Sequence, residues 1–166
     1  ARRGRLSNAH VHAPASAEYV LGQVLAILQS HERFRQSQME RRWQPRGFRE
    51  IDRSRWLIVG LGHVGNEVAR RAAALGARVV GVRRRPAPQA DVLRVVTFDE
   101  LERELPEADV VVLCSALTPE TKSLAGAGFF AAMQAGSILV NVARGALVDE
   151  AALLAALDRG RPGHAV

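Results

Sequence analysis

Aromatic side chains are scarce in this chain, at 5% of its 166 residues, so a core of stacked rings is excluded and Ala, Val and Leu must fill the interior. Cysteine occurs once, at Cys114, which rules out an internal disulfide and fits a reducing cytoplasm. No apolar run approaches the roughly 20 residues that a membrane-spanning helix needs. The basic start, Ala1-Arg2-Arg3-Gly4-Arg5, has no apolar stretch behind it and does not read as a signal peptide. Internal repeats and low-complexity tracts are also lacking.

What is there suits one domain of ordinary size: 48% of the residues are apolar, enough for a core. The net charge of +6, from 23 Lys and Arg against 17 Asp and Glu, points to an anionic partner. Nucleic acid is one such partner, but the arginines are spread over several segments. An anionic cofactor accounts for the charge equally well.

Residues 1–15 read as polar and irregular. Ser16 then offers a cap for a helix with an apolar stripe of Tyr19, Val20, Val24, Ile27 and Leu28, continuing through the charged stretch His31 to Arg42 until Pro45 and Gly47 end it. From Trp56 the texture changes to short apolar runs alternating with helical patterns. Strands are expected at 56–59, 79–82, 95–96, 110–113 and 138–140, with a sixth beginning near His164. Helices are expected at 64–75, after the Thr97/Glu100 capping box, at 129–133, and from Asp149 to Leu157. Continuous apolar strands separated by helices predict an α/β fold: a Rossmann-type, doubly wound parallel sheet covered on both faces.

The first strand runs into Gly60-Leu61-Gly62-His63-Val64-Gly65, a G-x-G-x-x-G pattern, and a helix runs out of it. Alone the pattern is weak; between a strand and a helix it is a dinucleotide fingerprint. Gly60 permits the turn, Gly62 lets the backbone approach a pyrophosphate, and Gly65 lets the helix pack on the strand. The N–H groups at the helix start then face the anion. His63 reads as a solvent-facing side chain within this loop. Where an NAD site carries Asp or Glu about 20 residues on, for the ribose 2′-OH, this chain has Arg83-Arg84-Arg85. Guanidinium groups bind a 2′-phosphate and a carboxylate repels it, so Arg83 and Arg84 favour NADP(H) over NAD(H). An ordinary solvated loop is the competing reading.

After the fifth strand comes Asn141-Val142-Ala143-Arg144-Gly145-Ala146-Leu147-Val148-Asp149-Glu150. Arg144 falls just past the C-terminal end of a parallel strand, the edge at which open α/β sheets bind ligands. From the residues alone two readings stand level: a guanidinium holding a substrate carboxylate, or one pairing with Asp149 or Glu150 to brace the loop. Asn141 and Gly145 read as loop-shaping, and Asp149 as the cap of the last helix. Cys114 ends a buried strand and reads as a small core residue beside the cofactor. His10 and His12 lack partners for a metal site, and no metal is expected.

The segment from Asn141 to Leu153 resembles the N-x-x-R-G-x-x-V-D-E-x-A-L stretch of the D-2-hydroxyacid dehydrogenase family. Leu117-Thr118-Pro119-Glu120-Thr121 resembles that family's P-L-T-P-E-T loop, with Ala116 where proline is usual, and Ala17-Glu18-Tyr19-Val20-Leu21 is similar to its A-E-x-V-L helix. The motifs stand in the family's order, and the resemblance covers nearly the whole chain. It implies a cofactor-binding domain of an oxidoreductase that moves a hydride between NAD(P)H and a small 2-oxo acid, of the glyoxylate or hydroxypyruvate type. Arg144 would bind the substrate carboxylate and carbonyl. Cofactor contacts would come from Gly60, Gly62, His63, Val64, Gly65, Arg83, Arg84, Ser115, Ala116, Thr121, Val142 and Ala143. The resemblance also implies that residues 1–15 are the edge of a hinge to a substrate domain, that 16–166 are the nucleotide domain, and that 16–47 help two copies pair as a homodimer. It places the acid–base histidine and its carboxylate beyond Val166, so the 166 residues are expected to bind NADP(H) without turnover. A nucleotide-sensing binding module, like the family's corepressor relatives, is the alternative; direct nucleic-acid binding ranks last.

Overall fold

A computed structural model describes residues 11–45 and 47–166. Six strands form one all-parallel sheet: β1 (Arg55–Val59), β2 (Arg78–Val82), β3 (Arg94–Val96), β4 (Val110–Leu113), β5 (Ile138–Asn141) and β6 (His164–Ala165), in the order β3-β2-β1-β4-β5-β6. The chain winds outward from β1 through β2 to β3, then returns to the other side of β1 for β4, so the winding reverses between β1 and β4. The expected strands are all present, shifted by at most a residue or two.

Alternation along each strand divides the core between two faces. Trp56, Ile58, Val79, Val110, Val112, Ile138 and Val140 point to one face, under α1 (Ala13–Leu28) and α3 (His63–Ala74). Leu57, Val59, Val82, Val111, Leu113 and Leu139 point to the other, under α4 (Leu101–Glu104), α5 (Ala127–Ala132) and α6 (Glu150–Leu157). Central strands buried on both faces must be apolar at every position, which is why they read as runs rather than as alternation. Phe130 is fully buried and meets Phe129 edge to face, with ring centroids 5.7 Å apart. Burying a side chain of that size contributes about 2–3 kcal/mol.

Several expected boundaries move. The leading helix starts at Ala13, not Ser16, because Pro14 fits the first turn, where no backbone N–H is required. The hinge expected over 1–15 therefore ends inside α1, and residues 1–10 lie outside the described residues. Its buried stripe is Ala13, Ala17, Val20, Leu21, Val24 and Leu28, while Tyr19 turns outward. Small residues decide this: α1 and α3 pack together, with Ala17 on one and Ala69 and Ala72 on the other all fully buried in the core they share. The helix does not continue into the charged stretch. Ser30 adopts φ 55 and interrupts the helix, so that α2 (His31–Met39) forms separately. On α3 the inward face is Gly65, Val68, Ala69 and Ala72, with Leu75 largely exposed. Gly76 follows at φ +86, ending the helix as expected. The helix after the capping box is one turn between two 3-10 turns, Phe98–Glu100 and Leu105–Glu107.

Candidate nucleotide site

The C-terminal ends of the central strands form a cleft of about 1010 Å³, and backbone hydrogen bonds just past the strands build its floor. The N–H of Gly60 donates to Val82 O at 2.9 Å, that of Cys114 to Val59 O at 2.8 Å, and that of Val142 to Leu113 O at 3.2 Å. Gly60 and Cys114 therefore flank the reversal between β1 and β4, the position where open α/β sheets bind ligands, with Val142 next along past β5.

The three glycines of the loop differ in what requires them. Gly60 has φ +104, and a Cβ there would lie 2.6 Å from Ser115 N. A Cβ on Gly65 would collide with the Gly60 carbonyl. Both are demanded by the fold, since they let the turn pass under the β4 loop and α3 seat against β1. Gly62 is different: a Cβ would meet nothing within 4 Å, and its backbone is extended. The protein's own packing gives no reason for glycine there, whereas a phosphate approaching the backbone does. The first N–H groups of α3 have no carbonyl to reach within the helix; Asn66 is the first residue to bond back, to Gly62 O at 2.9 Å. Ser115, nine-tenths buried beside Gly60, has a hydroxyl with no hydrogen-bond partner. An open Cβ position, helix-start N–H groups and an orphaned buried hydroxyl on one wall together fit a polar, phosphate-bearing ligand.

Arg83, Arg84 and Arg85 form the far side of the same cleft, with Arg83 N–H tied to Val96 O. The facing wall is the loop after β4. There the Thr121 hydroxyl donates to Ala116 O and accepts from Thr118 N–H, both at 2.8 Å. Its proton is used within the loop, so Thr121 shapes the wall. The Glu120 carboxyl is held below the usual carboxylate range by the Thr118 hydroxyl, then by its own backbone N–H and by the Arg84 guanidinium. Burial pushes the Cys114 thiol up to about 12, leaving it protonated and unreactive at neutral pH.

Of the expected cofactor residues, Gly60, Gly62, Arg83, Arg84, Ser115, Ala116 and Thr121 line the cleft. Val64, in the first turn of α3, is half-buried against the core, His63 opens that helix from an exposed position, and Gly65 supports the turn from behind. Val142 packs on the core, and the Ala143 N–H donates to Asn141 Oδ1 at 3.0 Å. The Asn141 amide also donates to Arg144 O at 3.0 Å, so Asn141 shapes this loop as expected. Arg144 is exposed and donates to Ala143 O at 2.8 Å. Neither acid proposed to brace it forms an ion pair with it; the Asp149 carboxylate caps α6, accepting from Ala152 N–H at 3.0 Å. Its guanidinium is thus available beyond its own backbone. Sequence reasoning missed Phe98, Asp99, Thr118 and Glu120 in the lining. The T-P-E-T resemblance could have supplied the last two; nothing in the pattern marks the first two.

Among the described residues no histidine lines the cleft. His164 pairs in register with Ile138 at the opposite, N-terminal edge of the sheet. Its imidazole is held below the ordinary value by partial burial, then by the charges of Arg49 and Arg33. No three His, Cys, Asp or Glu side chains among the described residues converge as a metal site would require, and no helix is long and apolar enough to cross a membrane.

Residues 21–166 match the family model described as D-isomer specific 2-hydroxyacid dehydrogenase, NAD binding domain. A glycerate dehydrogenase of Methylorubrum extorquens is 43% identical over 65% of this chain and 32% of its own length. A D-isomer specific 2-hydroxyacid dehydrogenase family protein from Aeromonas salmonicida superposes with a TM-score of 0.91 at 31% identity, covering 98% of this chain and 54% of the other. A D-isomer specific 2-hydroxyacid dehydrogenase from Xanthobacter autotrophicus, crystallised with NADPH and MES, gives 0.86 at 34% identity, covering 97% and 66%. The chain spans about a third to a half of the curated relatives it matches.

Proposed function

The chain belongs to the D-isomer specific 2-hydroxyacid dehydrogenase family as its NAD-binding domain, and from that premise we propose that it holds NADP(H) for the reduction of a small 2-oxo acid. The observation that carries the reading is the single cleft joining the Gly60–Gly62 turn and the orphaned Ser115 hydroxyl to three consecutive arginines. The turn and the start of α3 would hold the pyrophosphate through backbone N–H groups. Arg83 and Arg84 would bind the 2′-phosphate, the feature that separates NADP from NAD. The nicotinamide, when bound, supplies or accepts the hydride. Arg144, past the end of β5, would hold the substrate carboxylate in a fixed geometry and polarise its carbonyl.

Proton donation to the carbonyl oxygen needs an acid in reach of the cleft. Because no described histidine lines it, the 166 residues alone are proposed to bind cofactor without turnover. Two copies are proposed to pair through α1, α2 and the following segment, where Tyr19, Phe34, Met39 and Trp43 are exposed. Sedimentation equilibrium tests that pairing.

Side-by-side titration with NADPH and NADH, followed by nicotinamide fluorescence, tests the central reading. Tighter NADPH binding is expected. Tighter NADH binding refutes the role given to the arginines, and no binding of either refutes the site. Steady loss of NADPH absorbance with glyoxylate would show that an acid has been overlooked.

A further inference from the structure

Resting on the reading that this cleft takes a dinucleotide, we propose that Glu120 sets its cofactor discrimination by competing with the 2′-phosphate for Arg84. The two side chains line one cleft from opposite walls, Arg84 after β2 and Glu120 after β4. Among the described residues Arg84 makes no ion pair within 4 Å, with Glu120 or any other acid, and its charge is among the causes that hold the Glu120 carboxyl low. Glu120 sits between Thr118 and Thr121 on a loop that the Thr121 hydroxyl staples internally, so its backbone is held on the wall facing the arginines.

The charge balance gives this arrangement its consequence. The lining carries three guanidinium groups and two carboxylates, Asp99 and Glu120, a balance of one positive charge. A phosphate monoester brings about −1.5 to −2. With Glu120 ionised the wall under-neutralises that phosphate; without it the two balance. A ribose 2′-OH carries no charge, so NADH binding is nearly indifferent to the same carboxylate. Glu120 therefore weakens NADPH selectively and narrows the preference that Arg83 and Arg84 create.

The test is a double-mutant cycle on the full chain with Glu120→Gln, Arg84→Gln and both together, titrated with NADPH and with NADH at low and high salt. Glu120→Gln is expected to tighten NADPH about three- to tenfold at low salt, as suits removal of one exposed charge acting on a dianion, and to change NADH less than about twofold. The gain should shrink in high salt and vanish when Arg84 is already Gln. A gain equal for both cofactors, a loss of NADPH affinity, no change, or a gain that persists without Arg84 overturns the proposal. Wild-type chain that binds neither cofactor defeats the dinucleotide reading and this proposal with it. Wild-type chain that prefers NADPH while Glu120→Gln is silent defeats this proposal alone.

Discussion

Replacing Gly62 by alanine separates what the fold needs from what a ligand needs. The backbone at Gly62 is extended, with φ −90 and ψ −160, a region open to any L-residue. The added methyl would meet no heavy atom within 4 Å. The folded state therefore loses nothing, and the unfolded chain loses some freedom, so stability should stay level or rise by up to about 1 kcal/mol. Binding should behave oppositely. If a pyrophosphate approaches this turn, the methyl occupies part of its space, and forced overpacking costs about 1–3 kcal/mol. At 1.4 kcal/mol per tenfold, NADPH affinity should fall roughly five- to hundredfold. Gly60→Ala provides the contrast, because its methyl would lie 2.6 Å from Ser115 N at φ +104, and that variant should lose stability as well. Urea unfolding and nicotinamide fluorescence titration on the same preparations read both quantities. A Gly62→Ala protein with unchanged stability and unchanged NADPH affinity would refute the reasoning, since the space above Gly62 would then serve no ligand.

Ser115→Ala removes a buried hydroxyl that has no partner in the protein, so stability should hold or improve slightly while cofactor affinity drops up to about tenfold; equal affinity would show that the hydroxyl contacts no ligand. Asp149→Ala deletes the side-chain cap on Ala152 N–H and should cost about 1 kcal/mol in urea unfolding. Phe130→Ala empties a fully buried site and should cost about 3–5 kcal/mol, enough to lower the midpoint sharply. Cys114 titrates near its ordinary value of about 8.5 when unfolded but only near 12 when folded. The native state thus retains a proton that the unfolded state releases, and stability should fall as pH rises from about 8.5 toward 12. Cys114→Ala should flatten that limb, and thiol reagents at pH 8 should label the folded wild type far more slowly than the unfolded chain.

The sequence by itself determined the layered α/β architecture and the principal ligand turn. Strands such as Val110–Leu113 are apolar throughout because both faces are covered, and a run of that kind is visible without coordinates. Gly60, Gly62 and Gly65 are legible for a related reason: a backbone that must pass closely leaves a mark in residue type. Tertiary structure alone decided which side of each helix is buried. Tyr19 and Leu75 fit an apolar stripe by spacing, yet alanine faces on α1 and α3 pack together and turn both outward. Only the fold could bring Glu120 opposite Arg84, or leave Ser115 buried without a partner, because such relations join segments 30 or more residues apart in the chain. Local pattern records what each residue requires of its neighbours along the backbone; the meeting of two loops at a sheet edge depends on strand order, which no short stretch encodes.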